Sequence, residues 1–129
     1  MDVYLTWEAR EYLEGLALSN SGLEGILLGH KRGPEYYIEQ VFPYHNALSM
    51  TDEIFTEINQ HFNDGVMGFY FFSSDKEITE KKLVPFSVGK VILRIDKDKK
   101  KNLKLDSHFI DYDEKFSLKP NKVHSIEKD

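Results

Sequence analysis

The sequence predicts a single α/β domain. Three observations carry this. Two stretches, Thr6–Leu18 and Ser49–Phe62, repeat apolar residues at helical spacing, while Ile26–Leu28, Tyr36–Phe42 and Val66–Phe72 are dense in the β-branched, aliphatic and aromatic residues of strands. The chain has 129 residues, enough for one core and too few for two ordinary domains.

Taken in order, Thr6–Leu18 places Trp7, Ala9, Tyr12, Leu13, Leu16 and Ala17 on one stripe, with Thr6 as N-cap and Glu8 in the first turn, where a negative charge suits the helix dipole. Ser19 to Gly22 ends the helix. Leu23–Lys31 contains Ile26-Leu27-Leu28, continuous rather than alternating, as in a strand covered on both faces. A turn over Arg32–Glu35 leads to Tyr36–Phe42, so the two runs predict an antiparallel hairpin closed by Pro43. Ser49 or Thr51 caps the second helix, Asp52 and Glu53 occupy its first turn, and Ile54, Phe55, Ile58 and Phe62 form its apolar face. Val66–Phe72 is the densest strand, with Phe69 and Phe71 pointing one way and Tyr70 and Phe72 the other. Ser73–Lys82 is polar. Gly89–Ile95 and Asn102–Ile110 predict a second hairpin across a lysine-rich turn. Beyond Tyr112 the chain is charged and poor in core residues; Phe116 and Leu118 could dock, and residues from about Asn121 are expected to be loose. The expected division is therefore a domain over 1–112 and a partly flexible C-terminal extension over 113–129.

Composition excludes several function classes. Hydrophobic residues make up 40% and charged residues 30%, which is globular rather than disordered. Cysteine is absent, which removes disulfides, thiolate metal sites and cysteine nucleophiles. A net charge of −5 disfavours nucleic acid as the main partner, since phosphate binding requires a cationic surface. No apolar run approaches the length of a membrane span and no leader pattern opens the chain, so the expectation is a cytoplasmic protein without membrane attachment. Lys97, Lys99, Lys100, Lys101 and Lys104 cluster around Asp98; this is either a solvated turn or a docking patch for an acidic partner.

Three stretches carry a resemblance. Met1 to Ala17 resembles the opening strand and first helix of the family named below. Gly25-Ile26-Leu27-Leu28-Gly29, followed by Tyr36–Pro43 and Asn46, forms a distinctive hairpin, and Val66–Tyr70 is the strand after the second helix. Together, over about Met1 to Ile110, they resemble the JAMM/MPN metalloprotease family. The resemblance implies a mixed β-sheet flanked by helices, cytidine-deaminase-like in broad architecture. In active members that last strand runs into two histidines at i and i+2, whose imidazoles reach one zinc, with an aspartate as third ligand, metal-bound water in the open position and a glutamate as general base. Here Phe71 and Ser73 stand at the two histidine positions, Val84 (or Lys82, with a shorter loop) at the aspartate and Gly22 at the base. None of these can serve, so the resemblance implies a pseudoenzyme without metal or other cofactor. Inactive domains of this family pair with other MPN domains or other proteins, which implies a protein partner or a homodimer.

The remaining candidates are weaker. His30, His45, His61, His108 and His124 show no ligand-pair spacing; His30 and His45 could converge with Glu24 or Asp75, or each could be an ordinary hydrogen-bonded surface residue. Glu24, two residues from Gly22, keeps the strand face of a general base but has nothing to activate without a metal. Ser73-Ser74-Asp75 lacks the glycine elbow and histidine of a serine nucleophile. Phe71 either fills the former metal cleft as core or, with Phe72, Lys99, Lys100 and Lys101, contributes to an interaction patch. The leading expectation is a non-catalytic domain acting through protein association; the alternative is a metal-dependent isopeptidase or small hydrolase with a relocated site. A third reading is a small-molecule binding module that uses the vacated cleft.

Overall fold

The computed structural model describes residues 2–19, 24–45, 47–72, 85–97 and 103–127. Their order is β1 (Val3–Leu5), α1 (Trp7–Ser19), β2 (Glu24–Arg32), β3 (Glu35–Pro43), α2 (Asp52–His61), β4 (Val66–Phe72), β5 (Val91–Lys97), β6 (Leu103–Asp113), β7 (Lys115–Asn121) and β8 (Val123–Ser125). All these strands belong to one mixed sheet, in the order β7-β6-β5-β4-β2-β3-β1-β8.

Local chemistry sets the helices. The Thr6 hydroxyl accepts from the Ala9 N–H at 3.2 Å, satisfying one orphan donor of the first turn of α1. Thr51 does the same for Ile54 at the start of α2. On α1, the buried line is Ala9, Leu13 and Ala17, at four-residue spacing. Trp7 and Tyr12, expected on that stripe, stand at its margins and remain 37% and 49% exposed. At the end of α2, Asn63 and Asp64 take left-handed conformations (φ 54° and 62°), turning the chain into β4.

The β2–β3 hairpin pairs antiparallel from Gly25↔Pro43 to Arg32↔Glu35 with a bulge at Leu28/Gly29. β4 lies between β2, antiparallel, and β5, parallel, and its residues from Val66 to Phe71 are buried. Gly68 sits where β5 comes closest; a Cβ there would collide with the Val91 carbonyl.

The sheet curls. β3 and β6 are four positions apart in strand order, which in a flat sheet separates them by roughly 19 Å. Yet the Tyr36 and Phe109 ring centroids are 6.3 Å apart, and the Tyr36 hydroxyl bonds the Gly89 carbonyl just before β5. The edge strands β7 and β8 are separated in sequence by one residue, Lys122. The inner face carries the main core: Leu27, Tyr36, Ile38, Tyr70, Val91, Leu93 and Ile95 packed with Leu13 of α1. On the outer face, Phe55 of α2 packs on Ile26, Leu28, Val66 and Phe69.

Residues 113–126 are therefore part of the sheet and its flank rather than an extension. β6 runs through the expected boundary at Tyr112, Glu114 makes a tight turn at φ 64°, and β7 pairs back along β6 from Asp113↔Lys115 to Ser107↔Asn121. The segment from Asn121, expected to be loose, supplies β8, which pairs in parallel with β1. Edge strands bury one side only, which is why this stretch is sparse in apolar residues.

Candidate functional site

The C-terminal end of β4 is where the resemblance places metal chemistry. Phe69 and Phe71 point to the outer face, and Tyr70 and Phe72 to the inner, as alternation requires. Phe69 meets Phe55 and Phe86, whose rings stack at 4.5 Å. Phe71 is 4% exposed and closes a second outer cluster with Ile92 and Ile110, against which Phe116 and Leu118 of β7 pack. Phe71 is therefore core, and its expected place in an exposed patch is corrected. Phe72 is half-buried against the inner core, its ring edge-on to Tyr70. Gly22, Ser73, Lys82 and Val84 lie outside the described residues, as do Lys99, Lys100, Lys101 and Asp75.

Directly beside Phe71, Tyr70 has no exposed surface, and its hydroxyl has no hydrogen-bond partner among the described residues. It fits against Gly25, where any Cβ would run into the Tyr70 ring and the Phe42 carbonyl. Burial, reinforced by nearby Tyr12, pushes the phenol far above its ordinary range, so it remains neutral. A buried, unsatisfied hydroxyl costs roughly 1–3 kcal/mol. Tyr70→Phe is therefore expected to stabilise the chain by about 1 kcal/mol, read as a higher denaturant midpoint at unchanged slope. A lower midpoint would show that the hydroxyl has a partner.

His30 is a hydrogen-bonded surface residue. His30 Nε2 accepts from Arg32 Nε at 2.9 Å, which leaves the proton on Nδ1 for Glu39. Both ring nitrogens are thus engaged, and His30 does not converge with His45. Among the described residues, no three or more His, Asp or Glu side chains are placed to share a metal ion.

The structure instead builds a cross-strand ladder that sequence reasoning missed. On the outer face, His124 of β8 stacks on Tyr4 of β1 (4.8 Å), Tyr4 on Tyr37 of β3 (5.0 Å), and Tyr37 on His30 of β2 (5.3 Å). Arg32 lies over Tyr37 at 4.7 Å. The only local signal was the alternation that turns Tyr37 away from the buried pair Tyr36 and Ile38; the parallel pairings that align the rings are non-local.

At the outer end of the ladder, His124 Nε2 and Asp2 Oδ2 are 2.8 Å apart. That bond, ahead of smaller charge effects, holds the Asp2 carboxyl below its ordinary range. A depressed carboxylate contributes stability above its unfolded value, about 4, and that contribution is lost as pH falls through the folded value. Asp2→Asn is expected to flatten the acid limb of the stability–pH curve in this window. An identical acid limb in both proteins would remove Asp2 from the account.

These features define a class: a curled, mixed-sheet α/β domain in which α1 packs on the inner face and α2 on the outer. No protein-family model matches the sequence, and no curated protein matches it. Among solved structures, the chain is similar to the solution structure of protein DSY2949 from Desulfitobacterium hafniense, with a TM-score of 0.67 and 17% identity over 98% of this chain and 94% of that one. At that identity the likeness shows a shared fold. No described helix is long and apolar enough to cross a membrane.

Proposed function

We propose that this chain is a non-catalytic JAMM/MPN-like domain that works by associating with another protein chain, a second copy of itself included. The observation that supports this best is Phe71. At the position the resemblance assigns to the first zinc-binding histidine, the side chain is enclosed by Ile92, Ile110, Phe116 and Leu118. An imidazole there would point into a dry apolar cluster, and a divalent ion would have to be desolvated among aliphatic groups. The order of strand, helix, hairpin, helix and central strand agrees with the family pattern.

Two measurements on the purified protein test this together. Elemental analysis is expected to find no stoichiometric zinc or manganese, and light scattering to find a mass above that of one chain. Stoichiometric metal whose removal abolishes a hydrolytic activity would overturn the reading in favour of a relocated catalytic site.

A further inference from the structure

We propose that the outer side of α1 and the segment after β8 form a docking groove for a segment of another protein that carries lysine or arginine beside aliphatic residues; this rests on the association reading and names the surface and the partner's chemistry. α1 turns Ala9, Leu13 and Ala17 into the core, which leaves Glu8, Glu11 and Glu14 exposed at three-residue spacing along its other side. The chain after β8 is held beside the start of that helix. The Ile126 N–H donates to the Leu5 carbonyl at 2.8 Å, and the Arg10 guanidinium donates to Ser125 Oγ at 3.0 Å. Between the two lies a hollow of about 410 Å³. Its apolar lining comes from Trp7 and Ile126, both partly open to solvent. A second hollow, of about 500 Å³, shares Glu11 with the first and is lined by Tyr12 and Leu16.

Charge complementarity selects the occupant. The carboxylates of Glu8, Glu11, Glu14 and Glu127 line the two hollows, against a single guanidinium, that of Arg10. Arg10 is engaged by Glu14 at 3.3 Å, and Glu8, Glu11 and Glu127 have no ion-pair partner among the described residues. Such a set repels phosphate and draws in ammonium or guanidinium groups. A metal ion does not fit, because among the described residues no three carboxylates are placed to share one. The apolar lining narrows the choice further. Tryptophan offers the strongest ring face to a cation, and the Trp7–Ile126 pair gains when an aliphatic group displaces water from it. Lysine and arginine side chains supply both parts, an apolar stem and a charged head. Two hollows that share Glu11 are filled by successive residues of a chain rather than by one small cation.

Trp7 is the single tryptophan of the chain, so its fluorescence reports on the groove directly. The full chain is titrated at low salt with a capped peptide of Lys-Leu-Lys repeats, and a saturable change in Trp7 emission is expected. Glu11→Gln together with Glu127→Gln should weaken binding roughly fivefold, the joint effect of two exposed ion pairs. Both side chains are exposed, so the melting temperature of this variant should hardly move. Glu53→Gln together with Glu57→Gln removes the same charge from α2 and should leave binding unchanged. A peptide of Lys-Gly-Lys repeats should bind more weakly, for want of the aliphatic groups. No saturable change in emission, equal weakening by the α2 variant, or equal binding of the glycine peptide would each overturn the proposal. If the peptide fails to bind but the Glu11 and Glu127 variant lowers the light-scattering mass to one chain, a second copy fills the groove instead. If neither happens and the unaltered chain still exceeds the mass of one chain, the groove falls and the association reading stands; a mass of one chain would remove self-association as well.

Discussion

A chain ending at Asp113 is expected not to fold. The cut removes β7 and β8, and with them the seven register pairs along β6 and the three along β1. It also removes Phe116 and Leu118 from Phe71, Ile92 and Ile110, and Val123 from the inner core. Fully burying a large apolar side chain contributes about 1.5–3 kcal/mol; these three are partly buried and contribute a share of that, and each uncovered neighbour loses part of the same gain. Against a total stability of about 5–15 kcal/mol, three docked side chains and two lost ladders leave little. Circular dichroism should show no cooperative thermal transition for the truncated chain. If it melted cooperatively within roughly 5 °C of the full chain, β7 and β8 would be accessories and the closure of the sheet would not matter to stability.

Phe71→Ala is expected to cost about 3–5 kcal/mol, the usual penalty for emptying the place of a buried phenylalanine. For a chain of this length that lowers the melting temperature by roughly 10–20 °C. Binding or self-association by the folded fraction should be unchanged, because the side chain faces Ile92 and Ile110 rather than solvent. The reverse pattern, an unchanged melting temperature with association lost, would put Phe71 in a contact surface and remove the observation on which the non-catalytic reading rests.

The two predictions fall on either side of what could be read from the residues. The strand that carries Phe71 was legible: the run Val66–Phe72 has the bounds later observed, and alternation pairs Phe71 with Phe69, but whether that side was core or contact surface was decided only by the packing of Ile92 and Ile110. Thr51 was legible as one of two cap candidates, with Ser49, because capping chemistry is local, and the β2–β3 hairpin because its turn and both strands are contiguous. The extent of the domain was not. Residues 115–125 look like a tail because each strand there contributes few inward residues, and their value lies in pairing with partners far away in sequence.

By itself, then, the sequence determined the element types, the caps and the buried faces of the central strands, all of which depend on composition and spacing within a few residues. The tertiary structure alone decided that the sheet curls until Lys122 joins its edges, that Tyr70 is enclosed without a hydrogen-bond partner among the described residues, and that His124, Tyr4, Tyr37 and His30 stack in line. Parallel pairing of β1 with both β3 and β8 produces that line, and parallel partners are brought together by the fold rather than by a turn.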